Sequence, residues 1–173
     1  MHPYARRLLN IVQRSDIWPY AFRNLFLKLM GYEIGHNALV ASSVDFEGEH
    51  IRLGPEVFIN KGCHIDGAAQ IDIGADVHIG PHVIIATTTH DLGGASRRAG
   101  PPNAQPITIG DGAWVCAGSI LRPGSVVAPG CVLSVGCVLV KPTEPDGLYG
   151  GNPAQRIKTL GAAETVELRA RNA

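Results

Sequence analysis

Imidazole is the side chain best suited to moving a proton near neutral pH, and it is also a common metal ligand. The seven histidines are therefore the first candidates for chemistry. Their spacing bears on both uses. The run from Ile73 to His90 reads IGADVH, IGPHVI, IATTTH, three six-residue units each opened by isoleucine. His64, His78 and His90 each occupy the sixth place of a unit, but in alternate units. If three units close one triangular turn, they lie on three different faces, and one chain cannot gather them around a metal. His78 and His82 are four residues apart, a ligand spacing that works on a helix, where such residues face alike. The period here is not helical. After His90 the pattern stops: residues 91–106 read DLGGASRRAGPPNAQP, with no aliphatic residue where the period demands one. The chemistry is placed at that interruption.

The elements that must position it follow from the repeat. A short fixed period marks a solenoid, in which each unit buries its apolar side chain only against stacked neighbours. Ile34, Val40 and Phe46 lead the first units; Leu53, Ile59 and Ile65 follow one residue out of step, which predicts a bulged corner near His50. Two more residues around Ile71 and Asp72 shift the frame to Ile73, Ile79 and Ile85. Ile109, Val115, Leu121, Val127, Leu133 and Leu139 resume it after the interruption. The fifth position holds small residues such as Ala38, Val57, Cys63, Val83, Thr89 and Cys137, suited to tight corners. The fold class expected is an all-β solenoid, a parallel β-helix of about five turns. Treated as one more turn, the interruption would bury Asp91, Arg97 and Asn103 at leader positions without partners. It must loop out instead, and long loops in compact domains usually carry function.

Residues 1–33 have a different period. Phe22, Leu25, Phe26, Leu29 and Met30 are spaced to form one helical face, Ser15 and Asp16 offer an N-cap near a break, Pro19 suits a first turn, and Gly31 suits a helix end. The segment is expected to cap the open end of the solenoid. Its polar face, with Arg6, Arg7, Arg14, Arg23 and Lys28, also offers a peripheral contact with an anionic membrane. The 15 basic and 15 acidic residues cancel, which disfavours a nucleic-acid partner. Cys63, Cys116, Cys131 and Cys137 form no CxxC pair and read as reduced thiols in the cytoplasm. No signal peptide and no bilayer-length apolar run is apparent.

The period, the INKGCHID and TTTHD stretches, the PITIGDGAWV restart and the closing GNPAQRIK together resemble the hexapeptide-repeat acyltransferases, over about Ile34 to Lys158. Within that group the resemblance is to the sugar O-acetyltransferases, such as those for galactosides, maltose and polysaccharides. It implies a left-handed β-helix, a homotrimer with active sites between subunits, acetyl-CoA as co-substrate lying along the helix, and no metal. It also implies that His90 is the general base, taking the proton of an acceptor hydroxyl as that oxygen attacks the thioester, without a covalent enzyme intermediate. Asp91 is a candidate to orient it, although neighbours in a strand point to opposite faces.

By the same resemblance Asn60 falls in the acceptor pocket of a sugar or glycan, where an amide can both donate to and accept from hydroxyls. Asp66 stands one residue early for the family's acidic partner. Asn60 can equally be a corner amide bonded to its own backbone. Trp114 resembles an aromatic flanking the thioester end, and Arg97, on the loop, can project towards the acceptor. Ala117, Val135, Val140, Lys141, Arg156 and Lys158 carry over as acetyl-CoA contacts, the aliphatic ones along the pantetheine arm and the cations at its phosphates.

The expected organisation is a helical segment at 1–33, a β-helix domain at 34–158 with an extruded loop at 91–106, and a short, helical C-terminal tail at 159–173. Two other readings remain open here. The γ-class carbonic anhydrases share the solenoid but bind zinc through histidines at a spacing this chain lacks, and a non-catalytic scaffold would have no need of the long loop. Serine acetyltransferases share the repeat too, but they usually bring a much larger helical front end.

Overall fold

The computed structural model describes residues 2–161. Two helices, α1 (Pro3–Gln13) and α2 (Tyr20–Leu29), precede a stack of parallel coils. Each full coil has three short strands. The first coil comprises β1 (Glu33–Ile34), β2 (Leu39–Val40) and β3 (Asp45–Gly48), the second β4 (Ile51–Leu53), β5 (Phe58–Ile59) and β6 (His64–Gly67). The third comprises β7 (Ile71–Ile73), β8 (His78–Ile79) and β9 (Ile84–Ala86). The chain then leaves the stack as a hairpin, β10 (Thr88–Leu92) and β11 (Ala99–Ala104). It returns as β12 (Ile107–Ile109), β13 (Trp114–Val115) and β14 (Ile120–Leu121), then β15 (Val126–Val127), β16 (Val132–Leu133) and β17 (Val138–Leu139). A closing pair follows, β18 (Gly147–Gly150) and β19 (Gln155–Thr159). Because β18 adds to the second face beside β16, the stack has about six turns rather than five.

Register accounts for the core. The leaders Ile34, Leu53, Ile73, Ile109 and Val127 align on the first face, Val40, Ile59, Ile79, Val115 and Leu133 on the second, and Phe46, Ile65, Ile85, Leu121 and Leu139 on the third. All but Ile34 are buried. Between leader and small fifth residue, the fourth place of each regular unit takes a left-handed backbone, as at Asn37, Asp76 and Gly118, which turns the corner. The expected bulge near His50 is real, and its Gly48 lies so close to the Gly67 carbonyl that a side chain there would collide with backbone. Solenoid, stacking and single hydrophobic column are thus as the repeat implied, consistent with a left-handed β-helix.

Local expectations change at three places. The excursion begins at Thr88, not Asp91, and it is a paired hairpin; Thr87, fully buried, takes the inward corner place expected of Thr89, which is exposed. The N-cap of α2 is Pro19, with no side-chain bond, because Asp16 instead accepts from Ser42 Oγ and from Lys61 Nζ at 3.4 Å on the first coils. The buried residues of α2 are Arg23 and Leu27, followed by Met30 just past its end, whereas Phe22, Leu25 and Leu29 are exposed. Of the C-terminal tail, residues 162–173 lie outside the described residues.

Arg23 fastens the cap. Its guanidinium donates to the carbonyls of Gln13 (2.7 Å), Val40 (2.8 Å), Ser15 (2.9 Å) and Trp18 (3.1 Å), joining α1, the linker and β2 through one side chain. Replacing it with methionine keeps the bulk and strands those acceptors. Arg23→Met should cost about 2–4 kcal/mol, read as a fall in Tm of roughly 5–15 °C in thermal denaturation.

Candidate functional site

His90 lies on β10, opposite Pro102 of β11, with its ring exposed. The Gly100 carbonyl is 2.9 Å from Nδ1. A carbonyl only accepts, so Nδ1 is the donor in this bond, and Nε2 is the nitrogen left to accept a proton when the ring is uncharged. That is the tautomer a general base needs. Asp91 does not orient His90, because its carboxylate accepts from the Asn103 amide at 3.1 Å across the hairpin. Arg97 is exposed at the hairpin's tip, where its N–H turns back to the Gly94 carbonyl (3.1 Å).

The hairpin is rooted by Asp66. One carboxylate oxygen accepts from the Ala68 N–H (3.1 Å), the other from the Thr88 N–H (3.2 Å) and the Thr88 hydroxyl. Below it, the Thr87 hydroxyl donates to the Asp66 carbonyl (2.8 Å), and the Gln105 N–H closes on the Thr87 carbonyl (2.9 Å). Asp66 is buried, with one oxygen closing its own corner at Ala68 and the other holding Thr88 at the base of the hairpin. Its place in the structure is thus at the root of the hairpin that carries His90.

A groove of about 660 Å³ runs along the second face. Asn60, Trp114, Ala117 and Val135 line it together, so four of the residues singled out in sequence meet there. Phe58, His78 and Cys116 line it as well, and sequence reasoning missed them as a group. Phe58, His78 and Trp114 occupy the same outward position on three successive coils, and the Phe58 and His78 rings are 5.8 Å apart. The signal was present, since each immediately precedes a leader, but it emerges only once the coils are in register. Asn60 shows its corner habit too, Oδ1 accepting from the Lys61 N–H at 2.8 Å while the residue lines the groove. Cys63 donates to the Gly80 carbonyl behind the groove, and burial pushes its thiol up to about 11, so it is protonated near neutral pH.

The other candidates are elsewhere. Val140 and Lys141 line a small cleft with Arg122 at the corner that follows the third face, the same corner from which the hairpin leaves two coils earlier. Arg156 and Lys158 lie on β19 against β18; Arg156 is ion-paired with Glu144 at 2.6 Å. In a triangular prism the corner between the third and first faces stands across from the second face. His90 and the groove are therefore on opposite sides of one chain. His82, at a left-handed corner, lies over Gly62. Among the described residues, no group of three histidine, cysteine or acidic side chains is placed to hold a metal ion.

No family model matches the chain. It is 35% identical over 137 residues to a Staphylococcus haemolyticus protein named as an acetyltransferase, covering 79% of this chain and 71% of that one. A Dictyostelium discoideum protein named likewise is 39% identical over 117 residues; the match takes in 68% of this chain but spans 61% of its relative. Among solved structures, a hexapeptide-repeat acetyltransferase from Vibrio cholerae complexed with acetyl coenzyme A superposes with a TM-score of 0.83 at 26% identity, over 91% of this chain and 86% of the other. A galactoside acetyltransferase in complex with coenzyme A gives 0.83 at 25% identity, over 92% and 82%.

If Asp66 roots the hairpin, removing its carboxylate should loosen the hairpin without unfolding the coils. Trypsin cleavage after Arg97 or Arg98 in Asp66→Ala should then be about tenfold faster than in the wild type. Mass spectrometry of the fragments checks the position, and an unchanged rate would refute the anchoring role.

Proposed function

Because the chain belongs to the hexapeptide-repeat acetyltransferases, we propose that it moves an acetyl group from acetyl-CoA to a hydroxyl of a sugar or glycan precursor in the cytoplasm. The observation that carries this reading is His90, fixed on a paired hairpin with Nδ1 bound to a carbonyl and Nε2 left to accept a proton. Nε2 takes the hydroxyl proton as the acceptor oxygen attacks the thioester carbonyl. The C–O bond forms, the C–S bond of the tetrahedral intermediate breaks, and the departing thiolate recovers the proton from the imidazolium. The groove suits the donor: Ala117 and Val135 offer small and aliphatic surface, and Trp114 a flat ring, to a pantetheine arm. The donor in the solved relatives named above supports the choice of acetyl-CoA, and the galactoside acetyltransferase supports that of a sugar.

His90 and the groove stand on opposite sides of a chain, so we assign them to two copies, with the hairpin of one facing the second-face groove of the next. A closed ring of three such contacts is a homotrimer, built from a heterologous interface of the kind that closes by rotation. Lys141 and Arg122 then share the hairpin's edge, and could meet phosphates of a donor held between copies.

The first test is release of CoA thiol from acetyl-CoA over a panel of sugars. The wild type should turn over with at least one acceptor, and His90→Ala should lose roughly 100- to 10,000-fold in kcat. A variant retaining most of the rate places the base elsewhere, and no turnover with any acceptor favours a scaffold. The second test mixes His90→Ala with Trp114→Ala by co-expression. If sites are shared, activity should return to roughly a quarter of wild type, the fraction of random interfaces that join two intact halves. No recovery would mean that each site lies within one chain.

A further inference from the structure

The outer face of the N-terminal cap is apolar, which capping does not require. A cap needs one apolar side against the core and a polar side towards water. Here the inward side of the helices carries Leu27 and Met30 together with Asn10, Gln13 and Arg23, all buried. The outward side carries Tyr4, Leu8 and Ile11 on α1, and Phe22, Leu25 and Leu29 on α2, each between 52% and 78% exposed. Spacings of four and three residues place each trio on one stripe of its helix. Ile17 in the linker is 76% exposed as well. Half of the exposed large hydrophobic residues in the described chain thus fall in its first 29 positions, as expected of a face that meets something.

Charge indicates what it meets. Asp16 is the sole acid among residues 1–32, against five cations, and it is turned to Ser42 and Lys61 on the solenoid. Arg6 and Arg23 point inward, while Arg7, Arg14 and Lys28 are exposed. Arg14 is paired with Asp45, and no ion pair engages Arg7 or Lys28 among the described residues. The helices therefore present apolar stripes flanked by cations, with half-buried Trp18 between them meeting Phe26 edge to face at 5.4 Å.

We propose that the cap docks on an anionic lipid bilayer, laying Leu8, Ile11, Phe22, Leu25 and Leu29 into the headgroup boundary with Arg7 and Lys28 against lipid phosphates. Both forces known for interfacial helices are then in place, apolar burial and attraction to anionic lipid. A second copy of the chain fits less well, because the exposed helix residues bring cations onto cations; the acids nearest Arg7 and Ile11, Asp45 and Glu47, lie on β3 in the cleft beside α1, where Asp45 already pairs with Arg14. Docking concerns the cap alone and stands apart from the proposed reaction.

The test is flotation of the full chain with vesicles of phosphatidylcholine alone, or of phosphatidylcholine and phosphatidylglycerol at three to one. Partition into the anionic vesicles should be about tenfold greater, and should fall as salt is raised. The double variant Leu25→Ser, Leu29→Ser should lose about tenfold of that partition. Both residues are exposed, so its melting curve should match the wild type. Should the variant fold poorly, Trp18 in a Trp114→Phe background gives the answer directly, since its emission should shift to the blue on adding anionic vesicles. Absence of partition or of that shift overturns the proposal, as does a variant that partitions like the wild type. So does a lower mass for the variant by light scattering without lipid, which would assign the face to a second copy.

Discussion

Each six-residue unit of this chain points two side chains inward, a leader and a small corner residue, and neither can be covered by its own unit. Only the coils above and below exclude water from them. That requirement explains why fourteen of the fifteen leaders are buried while the strands that carry them are mostly two or three residues long. It also explains the corners: a fixed turn every six residues needs a left-handed backbone at a fixed place, and glycine, asparagine or aspartate usually supplies it.

A stack closed by its neighbours has two ends and can tolerate one kind of interruption. At the first end the helices supply the missing neighbour, and Arg23 holds them by satisfying carbonyls that the first coil and the linker leave unpaired. The interruption is tolerated because the chain leaves and returns within one corner: Thr87 stays inside, Ile107 re-enters on the Gln70 carbonyl, and residues 88–104 pair with one another. The hairpin is hydrogen-bonded for the same reason that it is outside. Its polar and proline-rich residues cannot enter the column, but they can bond each other and Asp66.

The prism geometry then divides the chemistry. His90 on one edge and the apolar groove on the opposite face stand on different sides of one molecule, and the proposed reaction joins them through neighbouring copies. The exposed apolar residues of the cap belong to neither the hairpin nor the groove.

The sequence by itself determined the solenoid, its phase, the buried leaders and the place of the excursion to within a few residues, because those follow from a period and from which residues can be apolar. It also singled out His90, Asn60, Trp114, Ala117 and Val135. What tertiary structure decided was every relation between coils. Phe58, His78 and Trp114 are separated by 20 and 36 residues, intervals that differ because a hairpin intervenes, so no local pattern marks them as one ladder. The bond from the Thr88 N–H to the Asp66 carboxylate spans 22 residues, so no local pattern marks Asp66 as the root of the hairpin. The α2 helix misled for a related reason: its apolar stripe was strong enough to suggest the buried face, but four backbone carbonyls within reach drew Arg23 inward and left Phe22, Leu25 and Leu29 outside. Hydrophobic periodicity reports that a face exists, and only the partners available in three dimensions decide which face is covered.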